Sequence, residues 1–142
     1  MSTPTHQDSD IRINKFILKA THTCPTLGWK MARQGPEPPD LELLTLFKQG
    51  NIVEGEAIEQ IGGGNRMPIS LVDAVRCTRE AIDSDSNVNI VQPAFEVAGV
   101  VIRPDVIDGD CREITEIKSS KKVKDDHILD LAISTSAAEH SD

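Results

Sequence analysis

The spacing of apolar residues changes near residues 83–87, and this change limits the folds that the chain can adopt. Before it, apolar side chains recur at the intervals typical of amphipathic helices. After it, short runs rich in Val and Ile are separated by turn-forming residues, which is typical of strands. The order predicts an α/β protein with N-terminal helices followed by a small sheet. With 142 residues, the chain has room for one such domain.

Three helical segments are predicted before the sheet. Residues 11–20 have apolar side chains at near-helical spacing, and Pro25 is expected to break the chain after them. Residues 41–61 have the longest helical pattern, with Asp40 as N-cap, and Gly50 leaves open whether they form one helix or two. The third helix runs from its N-cap Ser70 to about Ile82.

Three strand-like runs follow, at residues 87–96, 99–107 and 112–117. Asp108, Gly109 and Asp110 form a turn signal between the last two runs, and Pro104 indicates an edge position or a bend. We therefore expect a three-stranded antiparallel meander. Asp125 then opens a C-terminal helix, and the pattern predicts a domain over residues 11–133 between disordered ends at 1–10 and 134–142.

Charge and composition exclude several classes of protein. A net charge of -8 argues against a protein whose whole surface binds nucleic acid. The concentrated positive patch is Lys121, Lys122 and Lys124, which is either a docking site for phosphates or a solvated loop. The three cysteines form no CxxC pair, so neither a zinc site nor a redox motif is indicated. No long apolar stretch or signal peptide pattern is present, which predicts a cytoplasmic protein without a membrane segment.

Asp105, Glu116 and Lys118 are the best candidates for a chemical centre. Asp105 and Glu116 could meet across the predicted hairpin, and alternation along a strand puts Glu116 and Lys118 on one face. Carboxylates are natural ligands for Mg²⁺ or Mn²⁺. The Ile117 carbonyl could join them as a ligand, with Lys118 positioning water or stabilising charge. The alternative is a charged hairpin without chemical function, in which Glu and Lys form a cross-strand pair.

These residues resemble the signature of the PD-(D/E)XK nucleases: Pro104-Asp105, then Glu116-Ile117-Lys118. Upstream, Cys24-Pro25-Thr26-Leu27-Gly28-Trp29 is similar to the Cys-Pro-x-x-x-Trp element of RecB-like exonucleases, among them an uncharacterised bacterial group. Gly50-Asn51-Ile52-Val53-Glu54 is similar to their helical Gly-x-x-Val-His motif, with Glu54 in place of His.

The resemblance implies a restriction-endonuclease-like core in which Asp105, Glu116 and Glu54 bind metal and Lys118 serves catalysis. The family follows the Lys with a Gln-x-x-x-Tyr helix, whereas this chain contains no Tyr. The C-terminal part of the core is therefore diverged or truncated relative to the family, which implies a partner protein or a further C-terminal segment. Members with an iron-sulfur cluster place three cysteines beyond that helix, and none follows here, so no cluster is expected.

Three hypotheses follow. The first is a nuclease that hydrolyses phosphodiester bonds in single- or double-stranded DNA with Mg²⁺ or Mn²⁺. The second is a catalytically silent PD-(D/E)XK-like module that binds nucleic acid or a partner protein. The third is an α/β interaction domain in which the motif residues are surface charges, which would gain no thermal stability from manganese.

Overall fold

A computed structural model describes residues 13–35, 37–111 and 113–141. Within these ranges the chain is a mixed α/β protein of five helices and seven short strands. The helices are α1 (Lys15–Thr23), α2 (Pro25–Gln34), α3 (Leu41–Gln60), α4 (Leu71–Asp83) and α5 (Asp125–His140). The strands are β1 (Ile13–Asn14), β2 (Asn65–Arg66), β3 (Ile90–Val91), β4 (Phe95–Val97), β5 (Val100–Ile102), β6 (Val106–Ile107) and β7 (Ile114–Thr115). The expected disordered segment 1–10 lies outside the described residues.

The N-terminal helices differ from the prediction. The chain is extended at β1, and α1 begins only at Lys15, where the Asn14 side chain accepts a hydrogen bond of 3.0 Å from the Ile17 N–H. The helical pattern does break before Pro25, since α1 ends at Thr23, but a second helix, α2, begins at once with Pro25 in its first turn. The missing N–H of proline is harmless there, because the first N–H groups of a helix have no intrahelical partner.

The next two helices agree with their sequence patterns. Asp40 caps α3 by accepting a hydrogen bond of 2.8 Å from the Leu43 N–H, and α3 continues through Gly50 as one helix. Ser70 precedes α4, although its side chain makes no capping hydrogen bond.

The strands form two mixed sheets, with the orders β1-β5-β4 and β2-β3-β6-β7. The predicted antiparallel meander differs from this arrangement in two respects. The first two predicted runs are each divided between the sheets, and each sheet includes a parallel pair, β1 with β5 and β2 with β3. Pro93 and Pro104 lie at the two divisions, where a residue without an N–H interrupts the ladder.

The core lies on both faces of the four-stranded sheet. The larger cluster combines sheet residues such as Ile90 and Ile107 with Ala74 of α4 and Ala137 of α5. On the other face, Val91 and Val106 pack against Ile58 of α3 and against Ile117. Successive side chains of β3 and β6 thus lie on opposite faces of the sheet, as expected for strands.

The C-terminal helix extends further than expected. Residues 134–140 were predicted to be frayed, but α5 includes them, and Ser134 and Ala137 are buried. In the described ranges, no helix combines the length and the apolar character needed to cross a membrane.

Candidate functional site

One end of the four-stranded sheet gathers the motif residues. Strand β6 is antiparallel to both β3 and β7, so the start of β6 lies beside the ends of β3 and β7. Asp105 directly precedes β6, and Glu116 directly follows β7. The fold therefore brings the Pro-Asp and Glu-x-Lys segments to the same end of the sheet.

A direct hydrogen bond joins the two segments. Asp105 Oδ2 accepts a bond of 2.6 Å from the main-chain N–H of Ile117, the residue between Glu116 and Lys118. The Ile117 side chain packs toward α3, whereas the Glu116 and Lys118 side chains contact α5. Asp105 is thus fixed to the backbone of the Glu-x-Lys segment.

The pKa of Asp105 reflects burial first and acidic neighbours second. The pKa of this carboxyl is raised from an ordinary value of 3.8 to about 6, chiefly by burial and also by the negative charges of Glu116 and Glu54. The Ile117 hydrogen bond and the Lys118 charge act in the opposite direction. The two carboxylates that the resemblance assigns as metal ligands are therefore close enough to act on Asp105 through their charge.

Glu116 is buried, with a side chain 5% exposed, and it has other partners. Its Oε1 accepts a hydrogen bond of 2.7 Å from Lys15 Nζ and one from the Ser134 hydroxyl. Its Oε2 lies 3.7 Å from Lys118 Nζ. One oxygen of Glu116 is thus held by α1 and α5, and the other faces Lys118.

Lys118 is directed toward α5 as well. Its ammonium group donates a hydrogen bond to Asp130 Oδ2, and Asp130 Oδ1 lies 3.2 Å from Lys19 Nζ. Burial would lower the pKa of Lys118, but the Asp130 bond and the neighbouring acids outweigh it and raise the pKa. Burial would raise the pKa of Asp130, but the lysines around it lower it.

These contacts form an ion-pair network that joins α1, α5 and the segment after β7. Its cations are Lys15, Lys19 and Lys118, and its anions are Glu116, Asp126 and Asp130. Sequence reasoning missed all of its helical members. The available signals were the four-residue spacings of Lys15 with Lys19 and of Asp130 with Ser134, which put each pair on one helix face.

Gln92 connects Glu54 with the Asp105 strand. Its side-chain amide donates a hydrogen bond of 2.8 Å to Glu54 Oε1, and its main-chain N–H donates one of 2.7 Å to the Asp105 carbonyl. Gln92 adopts a φ of 50°, a left-handed conformation that is uncommon outside glycine. Sequence reasoning missed this residue too, and no motif marks it.

The donors around Asp105 suit Mg²⁺ or Mn²⁺ by their chemistry. The carboxylates of Asp105, Glu116 and Glu54 and the Ile117 carbonyl are oxygen ligands, which hard cations prefer. Their spacing is wider than that of a formed site: in the part of the chain that is described, no three His, Cys, Asp or Glu side chains are grouped closely enough to hold a metal ion. Glu116 is also engaged by Lys15.

The lysine patch borders a groove between the segment after β7 and α5. The groove has a volume of about 480 Å³, and its lining includes Glu116, Lys118, Lys121 and Lys122. Lys124 lies at the N-cap of α5, where its N–H donates to His127 Nδ1 at 3.2 Å. Two of the three candidate phosphate-binding lysines therefore share a groove with the motif.

Two arginines lie at the same end of the sheet on the other side of Asp105. Arg66 ends β2, and the Arg103 guanidinium donates hydrogen bonds to the carbonyls of Gln92, at 2.8 Å, and Ile69, at 3.2 Å. Burial lowers the pKa of Arg103, and the positive charge of Arg66 lowers it further.

Comparisons with known proteins identified no relative of this chain. No family model matches the chain, and neither the curated proteins nor the solved structures contain a match.

Proposed function

We propose that this chain is a divalent-metal-dependent nuclease domain that hydrolyses phosphodiester bonds in DNA. The observation that carries the proposal is the hydrogen bond from the Ile117 N–H to Asp105, which ties the Pro-Asp and Glu-x-Lys segments together. The resemblance of these segments to the PD-(D/E)XK signature agrees with that contact. By the same resemblance, the two sheets and flanking helices would belong to a restriction-endonuclease-like core.

The residues at the site have complementary roles in this proposal. Asp105, Glu116, Glu54 and the Ile117 carbonyl would hold Mg²⁺ or Mn²⁺, which offsets phosphate charge and lowers the pKa of water. Lys118, a cation beside Glu116, would position the attacking water and stabilise charge that develops on the phosphate. The buried setting of Glu116 strengthens these electrostatic effects.

The groove beside α5 supports DNA as the substrate. It leads from Glu116 and Lys118 to Lys121 and Lys122, and lysines at such a position would hold phosphates without reading sequence. This local positive surface offsets the unfavourable net charge of -8 during encounter with DNA. Cytoplasmic localisation stays a prediction from the sequence.

The test is incubation of the purified chain with end-labelled single- and double-stranded DNA and either Mg²⁺ or Mn²⁺. Wild type should cleave only with metal. The cleavage rate of Lys118→Ala should be lower by roughly a hundredfold or more, which is the usual effect of removing one group that stabilises the transition state. Lys48→Ala, which removes an exposed lysine on α3, is the matched control. Equal cleavage by wild type and Lys118→Ala, or no cleavage by wild type, would refute the proposal.

A second candidate is a catalytically silent module that binds DNA or a partner protein. It is favoured by the contacts that Lys15 and Ser134 make with Glu116, because a carboxylate held in this way is less available to a metal. This candidate predicts that wild type binds DNA with equal affinity in Mg²⁺ and in EDTA and never cleaves it. If neither metal nor DNA raises the thermal stability, the third hypothesis, an interaction domain, gains support.

A further inference from the structure

The end of the sheet that holds Asp105 carries a second group of cations, at the opposite edge from the lysine patch. The sheet order is β2-β3-β6-β7, and β2 is parallel to β3. Arg66 therefore ends its strand at the same end of the sheet as Asp105 and Glu116. Neighbouring strands lie about 4.8 Å apart, so the backbone of Arg66 is roughly 10 Å from that of Asp105.

Arg66 and Arg103 are neighbours at this edge. Arg66 pairs with Val91 across β2 and β3. The Arg103 guanidinium is bound to the carbonyl of the next residue, Gln92, and to that of Ile69, which follows Arg66 closely in the chain. These two carbonyl contacts hold Arg103 in place, while the Arg66 side chain extends from an exposed edge strand.

Among the residues that the structure describes, no carboxylate neutralises either arginine. The ion pairs within residues 13–35, 37–111 and 113–141 include none between an acidic side chain and Arg66 or Arg103. Arg66 is close enough for its positive charge to act on Arg103. Two such cations without a carboxylate partner in the described part of the chain favour an external anion, and the guanidinium fork suits phosphate.

We propose that Arg66 and Arg103 form a phosphate-binding subsite for the backbone of single-stranded DNA. This subsite would bind the DNA substrate of the proposed nuclease, and as a substrate site it rests on that proposed function. A single DNA strand would cross the end of the sheet from the arginines at the β2 edge, past Asp105, to Lys121 and Lys122 beyond β7. The arginines contact phosphate oxygens, so they add affinity and position the strand without selecting a base sequence.

Binding of labelled oligothymidylate of about 20 nucleotides, measured by fluorescence anisotropy in EDTA over a series of salt concentrations, tests this subsite. Arg66→Ala should bind roughly two- to fivefold more weakly at low salt. Each lost phosphate contact should also reduce the slope of log affinity against log salt by about 0.7. Arg66→Lys should keep the slope but lose part of the affinity, because lysine retains the charge without the fork.

The control is Lys48→Ala, which removes the same charge from the exposed surface of α3 and should keep the wild-type slope. Arg103 is left intact because its two carbonyl contacts contribute to the fold. Thermal melting of Arg66→Ala, expected to match wild type, excludes unfolding as the cause.

The outcomes separate the subsite from the nuclease. An unchanged slope and affinity in Arg66→Ala would overturn the subsite even if wild type cleaves DNA, and so would failure of wild type to bind the oligonucleotide. If Arg66→Ala reduces the slope of log affinity against log salt while wild type never cleaves DNA, the result would support the subsite and refute the nuclease. The absence of divalent metal in the binding assay keeps the two readouts independent.

Discussion

The side-chain amide of Gln92 donates a hydrogen bond of 2.8 Å to Glu54 Oε1 and thereby connects α3 to the end of β3, where the Gln92 N–H binds the Asp105 carbonyl. The same residue adopts a φ of 50°. A non-glycine residue in this region costs on the order of 1 kcal/mol. The contact gives the Glu54 carboxylate a fixed direction that its position on an exposed helix would not provide.

Substitution of Gln92 separates backbone strain from the role of its amide. Gln92→Ala and Gln92→Gly both lose the bond to Glu54, but glycine removes the strain, so Gln92→Gly should be more stable than Gln92→Ala by about 1 kcal/mol. Both should show a smaller Mn²⁺-induced rise in Tm than wild type. Chemical denaturation and melting with and without Mn²⁺ provide the two measurements. A Tm rise equal to that of wild type in both variants would show that Gln92 does not orient a metal ligand.

Asp105→Asn should stabilise the metal-free protein near neutral pH. The pKa of Asp105 is raised from 3.8 to about 6, so ionisation opposes folding, and the stability from this group is lost as the pH rises from about 4 through about 6. The neutral amide can still accept the Ile117 N–H bond. The variant should exceed wild type by about 2 to 3 kcal/mol at about pH 7.5 and match it at about pH 4. Urea denaturation at both pH values measures the difference, and a pH-independent difference would contradict the assignment.

Asp130→Asn should destabilise the fold strongly. The Asp130 side chain is 6% exposed and is surrounded by Lys15, Lys19 and Lys118. Its loss leaves these three lysines with Glu116 and Asp126 as their acidic partners, and removal of a buried ion-pair partner costs about 3 kcal/mol or more. Since its pKa is lowered, the stabilisation is present above the ordinary carboxyl value of about 4 and is lost as the pH falls below it.

Asp126→Asn is the matched control for the ion-pair network. The Asp126 side chain is 61% exposed, and Lys19 is its one ion-pair partner among the described residues, so this change should cost less than about 1 kcal/mol. Guanidinium denaturation of both variants provides the comparison. Similar losses in the two would mean that the network does not stabilise the contact between α1 and α5.

Gly28→Ala should disturb the packing of α2 against α1. A Cβ at Gly28 would lie 1.9 Å from Thr21 Oγ1 and 2.7 Å from Thr21 Cα, and relief of such overlap costs about 1 to 3 kcal/mol. Gly55 provides the contrast, since a Cβ there meets no atom within 4 Å and alanine is the better helix former by about 1 kcal/mol. The prediction is a lower Tm for Gly28→Ala and a higher one for Gly55→Ala. The reverse order would contradict the close approach of the two helices.

The local patterns of the sequence predicted the helices better than the strands. Apolar spacing located α3 and α4, and each begins after a residue suited to an N-cap. In α3, however, Ile58 is the buried residue, and large apolar side chains such as Leu46 and Phe47 are exposed. Strands β1 and β2 were not predicted, because two residues contain no periodicity and their partners lie far along the chain, as Ile13 pairs with Val100. The division of the strand runs depends on Pro93 and Pro104, and only the second was recognised as a bend.

In the candidate site, too, the sequence predicted local features but not the contacts between distant segments. The motif identified Asp105, Glu116 and Lys118, and strand alternation predicted correctly that the last two share a side. The partners of Glu116, Lys15 and Ser134, come from α1 and α5. No local pattern states which helix faces will meet, so these contacts become visible only in the fold. The metal ligands stay a prediction, because the structure does not show the carboxylates grouped around one position.

Calorimetric titration of the metal-free protein with Mn²⁺ tests most directly whether Asp105 and Glu116 share an ion. Wild type and the control Asp126→Asn should each bind Mn²⁺ at a saturable site, whereas Asp105→Asn should bind it roughly tenfold or more weakly, because a carboxylate ligand is lost. Equal binding by Asp105→Asn and wild type, or no binding by wild type, would contradict the metal centre and the nuclease built on it.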